Sequence, residues 1–187
     1  DWDKELREMT AADSGTPLEQ GAMRMFAHSP EISKGLTKFA GSLKQNRSLP
    51  DRLVELVRLR VAFHNQCRSC MAIRYKDGQE DGITEDLVCS LEKPMEADNL
   101  SDAEKAAIQY GELFATNHLA INDDIYDNLR KYFNESEIVE LSMTVAFFVG
   151  FGRLAASYHM VEELPESFQA NEKETLTPWG NDSIIVR

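Results

Sequence analysis

Residues 55–70 read ELVRLRVAFHNQCRSC and place a carboxylate, Glu55, twelve residues before the first cysteine of a Cys67-x-x-Cys70 pair. The chain has three cysteines, so two of them belong to this one motif. Two thiols at this spacing can close a disulfide with little movement of the backbone. Because they can be oxidised and reduced as a pair, the motif predicts a reversible two-electron redox centre at Cys67 and Cys70.

The CxxC pair is predicted to open a helix that runs from Cys67 to Lys76. Because the positive end of a helix favours a thiolate, both cysteines are expected to be acidified there. Zinc is the main alternative for a CxxC pair, but a structural zinc site usually has four ligands. The sequence has no second CxxC, Cys89 stands alone, and His64 is the nearby histidine. No metal is therefore expected.

Helical patterns dominate the rest of the chain. Ser101 and Glu104 form a capping box that starts a helix ending near Thr116. The longest predicted helix runs from about residue 135 to 160, with apolar residues at helical spacing. The one short stretch with strand character is terminal, at residues 183–186. We therefore expect an all-α fold.

The predicted organisation is one helical domain with two tails. Residues 1–16 are interpreted as an N-terminal arm, 17–164 as the domain that carries the CxxC pair, and 165–187 as a C-terminal tail. A short echo relates residues 54–63 to residues 139–147, with Val-Glu-Leu followed by Val-Ala-Phe in both. This echo is compatible with a duplicated helical unit in which only the first copy carries the cysteines.

Charge and composition exclude several classes of function. The net charge is −12, from 32 acidic and 20 basic residues. Because phosphate binding needs clustered Lys and Arg, a general nucleic-acid binder is excluded and an anionic membrane surface is disfavoured. No uninterrupted apolar run reaches the roughly 18 residues of a membrane-spanning helix. The odd cysteine count fits a reducing compartment, so we expect a cytoplasmic protein.

Glu55, the Cys67-x-x-Cys70 pair at its fixed distance, the hydrophobic helix between them and Gly78 after them resemble the carboxymuconolactone decarboxylase family. The resemblance is closest to its alkylhydroperoxidase D-like (AhpD-like), peroxidase-related branch. It covers residues 40–95 well and the helical remainder loosely. It implies an all-α, AhpD-like fold and assembly into homo-oligomers, as trimers or hexamers.

The resemblance also implies a role for each residue of the motif. Cys70 would attack a hydroperoxide substrate, Cys67 would resolve the product to a disulfide, and Glu55 would belong to the proton relay. A thiol or lipoyl-type reductant would then reduce the disulfide. No cofactor is expected beyond the redox-active Cys67–Cys70 disulfide itself.

One position departs from the family pattern, which places a histidine four residues after the second cysteine. Here that residue is Arg74. Arginine stays protonated and cannot act as a base, but one helical turn from Cys70 its charge could stabilise a thiolate. His64 is the candidate replacement for the base. On a continuous helix it would lie opposite Glu55, so it needs a helix break near Gln66 to reach the site.

Three hypotheses about function follow. The leading one is a thiol-dependent hydroperoxide reductase, an antioxidant activity of the peroxiredoxin type. The second is the family's other chemistry, in which a lyase acts on a small lactone acid by general acid–base catalysis and the thiols are dispensable. The third is a non-enzymatic redox-sensing or binding protein, which Arg74 favours. Structural interpretations also stay open, with Glu55 paired to Arg58 three residues along the helix and Arg74 as an ion-paired arginine.

Overall fold

The computed structural model describes residues 2–169 and 175–187, and helices dominate this part of the chain. The expected all-α fold is confirmed, with a short strand pair added. The chain divides into two compact units, residues 1–47 and 48–187. The helices of the first unit are α1 (Lys4–Met9), α2 (Pro17–Phe26) and α3 (Pro30–Gln45). The second unit contains the helices α4 (Asp51–Asn65), α5 (Arg68–Ala72), α6 (Lys76–Glu80), α7 (Glu85–Cys89), α8 (Asp102–Thr116), α9 (Asp123–Leu129), α10 (Glu135–Tyr158) and α11 (Glu166–Gln169), and the strands β1 (Ile73–Tyr75) and β2 (Ile184–Val186).

The first unit contains the predicted N-terminal arm. α1 forms within it, because the Asp3 side chain caps the helix by accepting the Leu6 N–H at 2.9 Å. Lys34 of α3 joins the two helices, since its ammonium lies 3.1 Å from the Asp3 carboxylate and 2.8 Å from that of Glu5. The predicted arm therefore packs against α3 within this unit.

Helix α4 lies at the centre of the second unit and packs against α8 and α10. Residues 53–62 are all buried, so this helix is enclosed on every side. Three charged side chains, Glu55, Arg58 and Arg60, are buried along with the apolar ones. Each has an oppositely charged partner, as burial of a charge requires. The site described below is built on these groups.

The predicted helix from Cys67 to Lys76 is wrong in its second half. Helix α5 ends at Ala72, the chain continues as β1, and α6 begins only at Lys76. β1 pairs in parallel with β2, in the register Ile73 to Ile184. The β-branched residues of β2 offer β1 a partner that lies far away along the sequence, and this pairing overrides the local helical preference.

Helix α10 is long and apolar enough, by length and composition alone, to cross a bilayer. In the structure it packs against α4 and α8. Core helices of globular proteins pass the same test, so this feature carries no argument for a membrane.

Candidate redox site around the CxxC pair

The two cysteines of the motif form a disulfide, with their Cα atoms 5.2 Å apart. Cys67 is the N-cap residue of α5, and its sulfur accepts the Cys70 N–H at 3.3 Å. The Ser69 hydroxyl lies 3.6 Å from the same sulfur. Cys67 is fully buried, at 0% exposure, whereas Cys70 is half-buried. A reactant from solution therefore has readier access to Cys70.

A sharp turn at Gln66 separates α4 from α5. Gln66 has φ 49° and ψ 36°, which is the left-handed conformation that ends many helices. Its side-chain amide donates to the Leu176 carbonyl at 3.1 Å and accepts the Leu176 N–H at 2.9 Å. The helix break that His64 would need in order to reach the site is therefore present, and the C-terminal segment is bonded to it.

Glu55 is buried at 2% exposure and forms a two-pronged ion pair with Arg58. The Arg58 Nε lies 2.6 Å from Glu55 Oε2, and Nη2 lies 2.7 Å from Oε1. Oε1 also accepts the Tyr75 N–H at 3.0 Å. Both oxygens of the carboxylate therefore accept hydrogen bonds. Arg58 is the ion-pair partner that its i,i+3 spacing from Glu55 indicated.

Arg58 extends this pair to the redox motif. Its Nη1 donates to the Cys70 carbonyl at 2.7 Å, and its Nη2 donates to the Ile73 carbonyl at 2.7 Å. Burial acts to lower the pKa of Arg58, but the charge of Glu55 and its hydrogen bonds outweigh burial, so the pKa is raised. Arg58 is a permanent cation whose hydrogen bond reaches Cys70 itself.

Gly78 makes room for this arrangement. A Cβ at this position would lie 2.9 Å from the Glu55 Cβ and 3.0 Å from its Cγ. A larger residue would therefore force a shift of the Glu55 side chain or of the backbone at position 78. Gly78, noted in the motif from sequence, therefore supports the ion pair sterically.

Arg74 lies in β1, so the premise that it stands one helical turn from Cys70 is wrong. Its side chain is fully buried. The guanidinium pairs with both carboxylate oxygens of Glu85, at 2.9 and 3.0 Å. It also donates to the Met71 carbonyl at 2.7 Å and the Pro178 carbonyl at 2.6 Å. These contacts match the interpretation of Arg74 as an ion-paired arginine. Through the Met71 and Pro178 carbonyls, the buried side chain also links helix α5 to the C-terminal segment.

His64 faces α8. Its Nε2 lies 3.6 Å from Glu112 Oε1, and its ring lies 5.1 Å from that of Phe63. Burial, followed by the positive charge of Arg60, lowers the pKa of His64 more than Glu112 raises it. The break at Gln66 exists, but the described contacts of His64 do not include the cysteine pair.

Two residues that shape this site, Arg58 and Gln66, had no predicted functional role in the sequence. Arg58 was the i,i+3 partner of Glu55, and Gln66 was only the place of a break. The signal available for Arg58 was a charged residue inside an apolar stripe, which implies a buried partner. Nothing local indicated that Gln66 would bond to Leu176. Among the described residues, no group of three or more His, Cys, Asp and Glu side chains is arranged to hold a metal.

Residues 30–113 match the model of the carboxymuconolactone decarboxylase family. This match covers 84 of the 187 residues, slightly less than half of the chain. The fold of the chain is similar to a peroxidase-related protein from Ralstonia eutropha with an AhpD core, at TM-score 0.68 and 16% identity over 90% of this chain and 89% of that one. It is also similar to a putative antioxidant defence protein AhpD from Agrobacterium tumefaciens, at TM-score 0.61 and 21% identity over 74% and 93% of the two chains. These likenesses confirm the AhpD-like fold.

Two curated proteins are similar in sequence to part of this chain. The chain is 28% identical over 92 residues to YdfG of Bacillus subtilis, covering 49% of this chain and 63% of that protein. It is 29% identical over 121 residues to Rv2313c of Mycobacterium tuberculosis, covering 63% of this chain and 42% of that protein. Both relatives are called uncharacterised proteins. The chain thus spans less than two thirds of the length of either relative.

Proposed function

We propose that this chain is a thiol-dependent hydroperoxide reductase that works through Cys67 and Cys70. The observation that carries the proposal is the disulfide that joins a fully buried cysteine to a half-buried one. The accessible position suits the residue that meets substrate, and the buried one suits the residue that resolves the product. The match of residues 30–113 to the family model and the fold shared with a peroxidase-related protein support the same chemistry.

The proposed cycle begins with the reduced pair. The Cys70 thiolate attacks the terminal oxygen of ROOH, the O–O bond breaks, and ROH leaves after taking up a proton. Cys70 is now a sulfenic acid. The Cys67 thiol attacks the Cys70 sulfur, water leaves, and the disulfide forms. An external dithiol, of free thiol or lipoyl type, then supplies two electrons by thiol–disulfide exchange, and no further cofactor takes part.

Thiol counting tests this proposal directly. One equivalent of an organic hydroperoxide is added to the reduced protein, and Cys67→Ser, Cys70→Ser and Cys89→Ser variants are treated alongside. We expect rapid loss of two of the three thiols in the natural chain and a trappable sulfenic acid in Cys67→Ser but not in Cys70→Ser. Cys89→Ser serves as the matched control, since Cys89 is exposed and outside the pair. No thiol loss over hours would rule the proposal out.

A redox-sensing protein without rapid turnover is the second candidate, and Arg74 is the observation that favours it. The position of the family histidine is occupied by a buried arginine that bonds to the Pro178 carbonyl. Stoichiometric oxidation without turnover, in the presence of excess dithiol, would support this candidate over the enzyme. The lyase hypothesis has no comparable support, because both oxygens of Glu55 are engaged.

Assembly into a trimer or hexamer belongs to the proposal as well. Light scattering on the purified protein at several concentrations would measure its mass directly. A mass of one chain at every concentration would remove this part of the proposal without affecting the thiol chemistry.

A further inference from the structure

We propose that Glu55 and Arg58 act as one positioning pair that sets the charge beside Cys70, and that Glu55 does not accept a proton from the thiol. The consequence for turnover rests on the proposed function. The effect on the Cys70 thiol does not, because it can be measured without any peroxide.

The geometry places the two charges in order along one line of contacts. Glu55 binds the Nε and Nη2 atoms of Arg58, and Arg58 in turn binds the Cys70 carbonyl through Nη1. The cation therefore contacts the backbone of Cys70 directly, whereas the described hydrogen bonds of the anion go to Arg58 and to the Tyr75 N–H. A nearby cation favours a thiolate, so Arg58 promotes ionisation of Cys70 and Glu55 moderates it.

The described hydrogen bonds of Glu55 come from groups other than the two cysteines. It receives two hydrogen bonds from a guanidinium and a third from the Tyr75 N–H. These contacts give no direct hydrogen bond between the Glu55 carboxylate and the Cys70 thiol. Glu140, its counterpart in the internal echo, is used in a similar way, because it accepts the backbone N–H groups of Ser48 and Leu49.

Two other arginines, Arg68 and Arg74, lie near the cysteines in sequence, and their described hydrogen bonds go to other residues. Arg68 of α5 donates to the Phe168 carbonyl at 3.2 Å. Arg74 of β1 donates to the Met71 carbonyl and is balanced by Glu85. The described hydrogen bond from a charged side chain to Cys70 comes from Arg58. The proposal therefore assigns to the Glu55–Arg58 pair the influence that acts through direct contact with Cys70.

The decisive test is whether substitutions of Arg58 and Glu55 shift the pKa of Cys70 in opposite directions. In a Cys67→Ser, Cys89→Ser background, Cys70 is the remaining thiol, and the pH dependence of its alkylation by iodoacetamide reports its pKa. Arg58→Gln leaves the anion alone and should raise the pKa of Cys70 by about one unit. Glu55→Gln leaves the cation alone and should lower it by about one unit. If Glu55→Gln leaves the thiol pKa unchanged or raises it, the proposal is wrong.

Two further variants separate charge from structure. Arg60→Gln removes another buried arginine of α4, whose partner is Glu112, and should leave the Cys70 pKa unmoved. Arg58→Lys keeps the charge and should restore most of the shift seen in Arg58→Gln. If Arg58→Gln does not fold, the sign from Glu55→Gln still decides. Opposite shifts without peroxide turnover would refute the proposed function alone, whereas turnover without these shifts would refute the positioning pair alone.

Discussion

Replacement of Arg74 by His would restore the family histidine at the sequence level, and we expect it to damage the protein without adding a base. The Arg74 guanidinium is fully buried and bonds to Glu85 and to the carbonyls of Met71 and Pro178. An imidazole is shorter and has at most two N–H groups, so it cannot replace these contacts. Glu55, the other member of the family relay, would still be held by Arg58.

The size of the loss follows from these contacts. The pair with Glu85 counts for little, about 1 kcal/mol or less, because that side chain is 47% exposed. The two buried carbonyls lose charged donors, at a cost of about 1–3 kcal/mol each. The sum is a loss of about 2–7 kcal/mol in the free energy of unfolding, a range that includes the cost of breaking a buried ionic contact.

Urea unfolding measures this loss, and hydrogen exchange locates it. We expect the amides of β2 to exchange faster in Arg74→His, because β2 pairs with the strand that holds residue 74. Arg130→His is the control, since Arg130 is also an ion-paired arginine, with Asp127 and Glu135 as its partners, but is half exposed. It should cost less than about 1 kcal/mol. A similarly small loss in Arg74→His, or a tenfold gain in peroxide turnover, would refute the reasoning.

Three further outcomes are expected. The pKa of His64 is lowered from 6.5 in the folded chain, so the unfolded chain binds the proton more tightly. The free energy of unfolding should therefore fall as the pH drops below about 6.5. In urea-unfolding measurements over a series of pH values, His64→Gln should reduce this dependence. Gly111→Ala should destabilise by up to about 2 kcal/mol, since its Cβ would lie 2.9 Å from Val57, whereas Gly150→Ala, with nothing within 4 Å, should stabilise by about 0.5–1 kcal/mol in the same assay. In the oxidised protein, N-ethylmaleimide should label Cys89 alone, as peptide mass mapping would show, because the other cysteines form the disulfide.

Elements specified by nearby residues could be predicted from the sequence. The capping box at Ser101 and Glu104 is present, and α8 ends at Thr116 as expected. The long helix α10 begins at Glu135, also as expected. Such signals work because a cap is formed by side chains within one turn of the residues they bond.

Elements specified by distant residues could not be predicted. Nothing near Ile73 indicates a strand, because its partner lies at Ile184. The role of Gln66 depends in the same way on Leu176. For the candidate site, the spacing of Glu55 and the cysteines found the motif, but the direction of each charged side chain depended on tertiary contacts that spacing does not encode. The function and site roles themselves stay predictions.

The arginine at position 74 and the C-terminal segment are best understood together. A buried guanidinium is tolerated only where acceptors surround it. Here Glu85 supplies the anion and Pro178 supplies one of the carbonyls. Without residues 175–187, Arg74 would lose the Pro178 acceptor and β1 would lose its strand partner. The departure from the family histidine is therefore tied to a segment outside the matched residues 30–113, and the contacts of Arg74 attach that segment to β1 and α7.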